Sequence, residues 1–150
     1  MVKGKLPEDI RGDLRRCYNM GFPVLILGET GSGKTYSIKN FDTEEVGIFS
    51  VEKNRLPFKK AFKIAKNATY QQITRVLSNP QLKKYVIDDS QYLLVNEMFD
   101  RAKDTGYGKF TDMALNFRNL IHFINIKLPD DVIVYFLHHL CVGAQVCQRG

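Results

Sequence analysis

The chain has 150 residues, 44% hydrophobic and 25% charged, the balance of one folded globular domain rather than a disordered segment. Its longest uninterrupted apolar run, Val132 to Leu137, is far too short to span a bilayer, and Met1 to Glu8 carries lysines without the apolar stretch of a secretory signal. The formal net charge of +6 leans toward anionic partners; Cys17, Cys141 and Cys147 form neither a metal-type pair nor an even disulfide set, so a cytoplasmic protein is expected.

Residues 7–19 read as a short helix, with Pro7 in its first turn and Gly21 and Pro23 ending it. Val24-Leu25-Ile26-Leu27 is a continuous apolar run, the pattern of a strand buried on both faces. Glycine-rich sequence follows, and Lys34 to Asn40 reads as a short helix. Val46 to Val51 is a second strand, and Phe62 to Ala65 is either a third strand or a lysine-bearing helix surface. Thr69 and Gln72 fit a capping box, with Ile73, Val76 and Leu77 forming the apolar face of the helix they open and Asn79-Pro80 closing it. Tyr85-Val86-Ile87 is a buried strand that ends in Asp88-Asp89. Met113, Phe117, Leu120, Ile124 and Leu128 recur at helical spacing from Asp112 until Pro129, and Val132 to Leu137 is a last strand running into His138-His139. Strands alternating with helices predict an α/β domain with a parallel sheet.

Gly28-Glu29-Thr30-Gly31-Ser32-Gly33-Lys34-Thr35 satisfies the phosphate-loop spacing G-x-x-x-x-G-K-[ST] in full, between a strand and a helix as the mechanism requires. Glycines let backbone N–H groups curl around phosphates without Cβ clashes, and a helix N-terminus adds partial positive charge. Gly28 to Thr35, with Tyr36 behind them, are therefore the expected nucleotide-binding residues, for ATP with Mg²⁺. Lys34 is expected on the β- and γ-phosphates and the Thr35 hydroxyl on Mg²⁺. The alternative is a glycine-rich turn with an exposed lysine. Such a loop needs a second carboxylate at a neighbouring strand tip, and Asp88 has that place; otherwise it caps the next turn. Asp89 either polarises water or hydrogen-bonds the loop that follows.

The order of strand, P-loop, helix, strand ending in Glu52, then Ile87-Asp88-Asp89-Ser90, then Phe136-Leu137-His138-His139 resembles the RecA-like branch of P-loop ATPases. More narrowly it resembles phage-encoded AAA-family nucleotide-binding proteins, some linked to single-strand annealing and recombination. The likeness runs from about Val24 to His139 and implies a three-layer α/β core with a mainly parallel sheet. On that reading residues 1–150 are a single ATPase domain with a short helical segment over residues 1–22. Glu52 would orient or deprotonate the attacking water, or else is a surface glutamate at a strand end, with Lys34 and Asp89 the other catalytic candidates. His139 best fits the γ-phosphate sensor, with His138 facing the opposite side of the strand, and Ser90 resembles the hydroxyl often found after the acids.

The P-loop strand is expected beside the Val132–Leu137 strand, which separates it from the Asp88 strand. Eleven residues follow His139, fewer than the roughly dozen a crossover alone needs, so the core is expected to be truncated after the sensor strand. The P-loop strand then lies at the sheet edge, with a tendency to self-associate. Lys53, Arg55, Lys59, Lys60, Lys63 and Lys66, interleaved with Phe58 and Phe62, form either a grip on single-stranded DNA or a solvated lysine face over two core phenylalanines. Thr105 to Phe110 reads as a loop contacting DNA or the next subunit, or as a plain helix connection. The leading expectation is an Mg·ATP-dependent ATPase in phage recombination or replication, working in the host cytoplasm with DNA, another copy or a phage recombination protein. The alternatives are a nucleotide-gated binding module with little turnover and a small-molecule or nucleotide kinase, although no arginine-rich lid follows the long helix.

Overall fold

The computed structural model describes residues 20–52 and 55–140. The helix expected over residues 7–19 and the cysteines at 17, 141 and 147 lie outside them. In chain order the elements are β1 (Phe22–Gly28), α1 (Lys34–Ser37, continued by a 3-10 turn Ile38–Asn40), β2 (Val46–Ser50) and β3 (Lys63–Lys66). Then come α2 (Tyr70–Leu77), β4 (Lys84–Asp88), α3 (Gln91–Asp100), α4 (Gly108–Lys127) and β5 (Ile133–His139). The strands form one sheet in the order β1-β5-β4-β2-β3, every pairing parallel. The final strand thus sits between the P-loop strand and the Asp88 strand, as expected. No helix among the described residues is long and apolar enough to cross a membrane.

Alternation along the central strands divides the core in two. Phe49, Tyr85, Ile87, Val134 and Phe136 face α2, α3 and α4, where Ile73, Leu77, Leu93, Leu120, Ile124 and Leu128 meet them. Ile48, Val86 and Leu137 face the other side and are covered by Ile38 of the 3-10 turn together with Phe41, Leu56, Phe58 and Phe62. Each fully buried aliphatic side chain contributes about 1.5–3 kcal/mol, so the continuous apolar runs of β4 and β5 belong at the centre of the sheet.

Three sequence expectations change. β1 is a strand but is not buried on both faces: Phe22, Leu25 and Leu27 are 57%, 56% and 50% exposed. Among the described residues it pairs only with β5, and Leu25 and Leu27 stand beside Phe136 and His138 at the sheet edge, on the face opposite α1. Val76, placed on the apolar face of α2, is 44% exposed, because only Ile73 and Leu77 point at the sheet. The capping box itself forms, with Gln72 N–H donating to Thr69 Oγ1 at 3.3 Å and Thr69 N–H donating to Gln72 Oε1 at 3.2 Å.

α3 gave no periodic signal since Leu93 is its one buried residue, and α4 starts at Gly108 rather than Asp112, so the Thr105–Phe110 loop is half helix. Asn116 Nδ2 donates to Glu97 Oε1 at 2.6 Å and Arg101 Nη2 to Asp112 Oδ2 at 2.8 Å. Those two pairs run in opposite chain directions, so α3 and α4 form an antiparallel hairpin stapled by Arg101, whose Nε also holds Asp104 at 2.8 Å.

The entry into β1 is fixed by a close approach. A Cβ on Gly21 would lie 2.7 Å from Leu128 Cβ and 2.8 Å from the Ile124 carbonyl oxygen. Gly21→Ala is therefore expected to push the end of α4 off the sheet and lose about 1–3 kcal/mol in urea unfolding. Gly108→Ala meets open space in the first turn of a helix and should be neutral or stabilise by up to about 1 kcal/mol. Equal midpoints for the two variants would show that Gly21 is not a packing constraint.

Candidate functional site

The loop between β1 and α1 reverses through Gly31 and Gly33, whose φ angles are +79° and +87°. A side chain would be strained at either position, which accounts for the glycine that the spacing demands at 33 and for the further one at 31. Ser32 N–H donates to Glu29 O at 3.2 Å and Ser37 N–H to Gly33 O at 2.9 Å, closing the turn onto the helix. The Lys34 ammonium folds back over the loop, donating to Gly28 O at 2.6 Å and Glu29 O at 2.8 Å. It lies 3.4 Å from Ser32 Oγ. The loop carbonyls thus hold the cation over the cradle, where a phosphate oxygen could replace them as its partner.

Thr35, on the first turn of α1, donates its hydroxyl proton to Asp88 Oδ1 at 2.9 Å. The pair spans β5, so α1 must lean over the strand tips for Thr35 to reach the acid. Asp88 is only 4% exposed. Burial lifts its carboxyl from the usual 3.8 to about 6, helped by the Asp89 charge and opposed by the Thr35 hydroxyl and the Lys34 ammonium. Asp89 adopts φ +55°, a left-handed conformation that Asp tolerates, and its carbonyl accepts from Tyr92 N–H at 3.0 Å to start α3. The remaining acid, Glu52, stands half-buried at the tip of β2 beside Val51, whose N–H donates to Asp88 O at 3.4 Å. The Ser50 hydroxyl donates to the Glu52 carbonyl.

The end of β5 joins the same edge. His139 Nε2 lies 2.6 Å from Thr30 Oγ1, tying the tip of the glycine loop to the end of β5, and the backbone N–H of His139 donates to Gln91 Oε1 at 3.1 Å. His138 points to the other face, as strand alternation requires, with Nδ1 3.1 Å from Ser90 Oγ. Ser90 is fully buried and donates to Leu137 O at 3.1 Å, so its oxygen is left to accept from His138 Nδ1–H. Burial, then the His139 and Lys34 charges, lower the His138 pKa and favour its neutral ring. Leu140 N–H donates to Gly28 O at 3.1 Å and locks β5 to the start of the P-loop.

Lys34, Thr35, Asp88, Asp89, Thr30 and His139 therefore meet at one end of the sheet, with Glu52 on the adjoining strand tip. Glu29 and Tyr36 are exposed, Tyr36 standing edge-on to Phe58 with ring centroids 6.0 Å apart. Gln91 went unnoticed because nothing in its sequence context distinguishes it from a surface glutamine. Phe58 and Phe62 pack into the second core cluster, Lys60 Nζ donates to the Lys39 and Phe41 carbonyls, and Lys63 pairs with Glu44 at 3.3 Å. Phe58 and Phe62 therefore pack as core phenylalanines, whereas Lys53 lies outside the described residues.

Among the described residues no group of three or more His, Cys, Asp or Glu side chains could hold a metal ion. A hydroxyl beside one carboxylate, Thr35 with Asp88, still suits Mg²⁺, which keeps several waters and takes phosphate oxygens as ligands. The donor set therefore fits a magnesium–phosphate complex rather than a bare metal. No protein-family model matches the chain, and no curated protein matches its sequence.

Because the folded state holds the Asp88 proton more tightly than the unfolded chain, its contribution is fully present below pH 3.8 and is lost as pH rises to about 6. Asp88→Asn is expected to raise stability at pH 7 by about 1–3 kcal/mol and to flatten the pH dependence between those limits. Urea unfolding of both proteins at pH 4, 5, 6 and 7 measures it; parallel curves would show that the buried carboxyl is not strained.

Proposed function

We propose that this protein is an Mg·ATP-binding P-loop ATPase of the RecA-like type, acting on DNA in phage recombination or replication. The observation that carries the reading is the 2.9 Å bond from Thr35 to Asp88, two residues 53 positions apart in the chain and joined where a P-loop needs its hydroxyl and second acid. The position of β5 between β1 and β4 supports the RecA-like assignment, since it brings His139 against the P-loop.

Glycine-freed amides and Lys34 bind the phosphates, and Lys34 leaves its two carbonyl partners to do so. Bound Mg²⁺ would supply charge neutralisation on the β- and γ-oxygens. Thr35 Oγ1 and Asp88, the latter ionised above about pH 6, would hold that ion. Glu52 takes a proton from the attacking water, and His139 donates to a γ-oxygen and reports its loss through Thr30.

Lys34→Ala is expected to weaken Mg·ATP binding by about 1.5–3 kcal/mol, roughly tenfold to 150-fold, with the fold unchanged. Unaltered affinity by calorimetry would overturn the P-loop assignment. Glu52→Gln keeps the shape and loses the base, so it should bind ATP like the parent and hydrolyse it about 100-fold more slowly. Hydrolysis at the parent rate would pass that role to Asp89.

A second reading, a nucleotide-gated module with little turnover, is favoured by β1, which among the described residues pairs on one side only. Exposed Phe22, Leu25 and Leu27 on an edge strand are a pairing surface, and the reaction then depends on what pairs there. ATPase time courses with and without single-stranded DNA, run at rising protein concentration, separate the two. Rates per chain independent of both would leave the simple ATPase.

A further inference from the structure

From Lys53 to Ile87 the chain holds no Asp or Glu. Cations in such a run must find carboxylates elsewhere in the fold or go without. Lys63 finds Glu44, Lys83 finds Asp131 and Lys84 finds Glu45. Lys63 and Lys66 also sit on the edge strand β3, where lysines discourage pairing with another sheet. Among the described residues Lys39, Lys59 and Lys60 have no carboxylate within ion-pair distance.

These three exposed lysines gather around one aromatic side chain. Lys39 lies on the 3-10 turn that continues α1, and its Nζ donates to the Tyr36 hydroxyl at 3.1 Å. Lys60 Nζ donates to the Lys39 carbonyl at 3.0 Å and to that of Phe41. Lys59 follows Phe58, whose ring meets Tyr36 edge-on. The acids closest to Lys39 in the chain are engaged: Asp42 Oδ1 accepts the Glu44 N–H, and the Glu44 carboxylate pairs with Lys63.

The chemistry of a ligand follows from this grouping. Like charges gathered without counter-charge favour an anion, and lysines on different segments suit one whose charges are spaced. Tyr36 is 51% exposed, a flat ring standing among the lysines. Spaced phosphates with an unpaired base between them are what a single strand presents, since each base has a face to lay on an aromatic ring. A duplex keeps those faces inside its own stack.

We propose that Tyr36, Lys39, Lys59 and Lys60 form a surface for single-stranded nucleic acid, the lysines holding its phosphates and Tyr36 stacking on a base. The surface is distinct from the phosphate cradle of the P-loop. It supplies the contact that the proposed action on DNA leaves unnamed, and it does not rest on ATP binding or turnover.

The test is fluorescence anisotropy of the full chain, free of nucleotide, with a labelled oligothymidylate of about 20 nucleotides, between about 50 and 200 mM salt. The single strand should bind at least tenfold more tightly than a duplex of the same length. Lys39→Ala combined with Lys59→Ala should weaken binding at least tenfold and reduce the slope of log affinity against log salt by about 1.4, the share of two phosphate contacts. Lys103→Ala combined with Lys127→Ala removes the same charge elsewhere and should stay within twofold of the parent. Tyr36→Leu should weaken binding at least fivefold, and Tyr36→Phe, which keeps the ring, should bind like the parent. Circular dichroism checks that each variant is folded.

The proposal is overturned if the strand does not bind, if duplex binds as tightly, or if Tyr36→Leu changes nothing. It also falls if the two lysine pairs lose affinity alike, the result expected from net charge alone. Calorimetry with Mg·ATP supplies the last arm: an equal loss of ATP affinity in the Lys39 and Lys59 variant would assign these lysines to the P-loop nucleotide instead. Failure of the parent to bind ATP would count against the P-loop reading alone, because the strand titrations contain no nucleotide.

Discussion

Parallel pairing means that all five strands end at the same edge of the sheet, and every reactive side chain of the candidate site leaves from there. Register does the rest. Gly28 stands opposite His139, Ile87 opposite Phe136, and Ser50 opposite Asp88. Asp88, one residue beyond Ile87, thus comes beside Leu137, so the glycine loop, the end of β5 and the acid lie within two residues of one another before any loop is built. A one-residue slip of β4 would turn Asp88 to the other face, away from Thr35, and would drive Val86 into the wrong half of the core. The apolar alternation that makes the sheet stable is therefore the same constraint that aims the acid.

The site is held under some electrostatic tension. Asp88 is buried enough for its carboxyl to resist ionisation, and its neighbour Asp89 adds to the resistance. Lys34 relieves part of it from a distance while its own donors rest on backbone carbonyls of the loop. A dianionic phosphate with a divalent ion would reverse every one of these compromises: the lysine gains charge partners, and the carboxylate gains a cation. Each group would then exchange one partner for another without leaving the strand tips, which is how a preorganised site limits its entropic loss.

Much of this was legible in the residues. The P-loop spacing named Lys34 and Thr35; short apolar runs named β2, β4 and β5; and the Thr69–Gln72 spacing named the start of α2. What failed to show shares a physical origin. Whether Leu25 and Leu27 are buried depends on what pairs beside β1, and an apolar run carries no information about its neighbour. α3 has a single buried side chain, so it lacks the period that marks a helix. Gln91 and Glu97 acquire meaning only through partners far away in the chain, His139 and Asn116 respectively. Periodicity sees local burial, and none of these is local.

Helix α3 joins the candidate site to the helical hairpin. Immediately before it Ser90 binds Leu137 O and meets His138, and its first residue, Gln91, receives the His139 N–H; two turns later Glu97 accepts from Asn116 of α4. The contacts at the two ends differ in kind: at the sheet α3 is held by hydrogen bonds to β5, and at Glu97 by its antiparallel pairing with α4. Contiguity alone does not make the two ends communicate, because coupling requires two discrete positions of the helix that a ligand can bias.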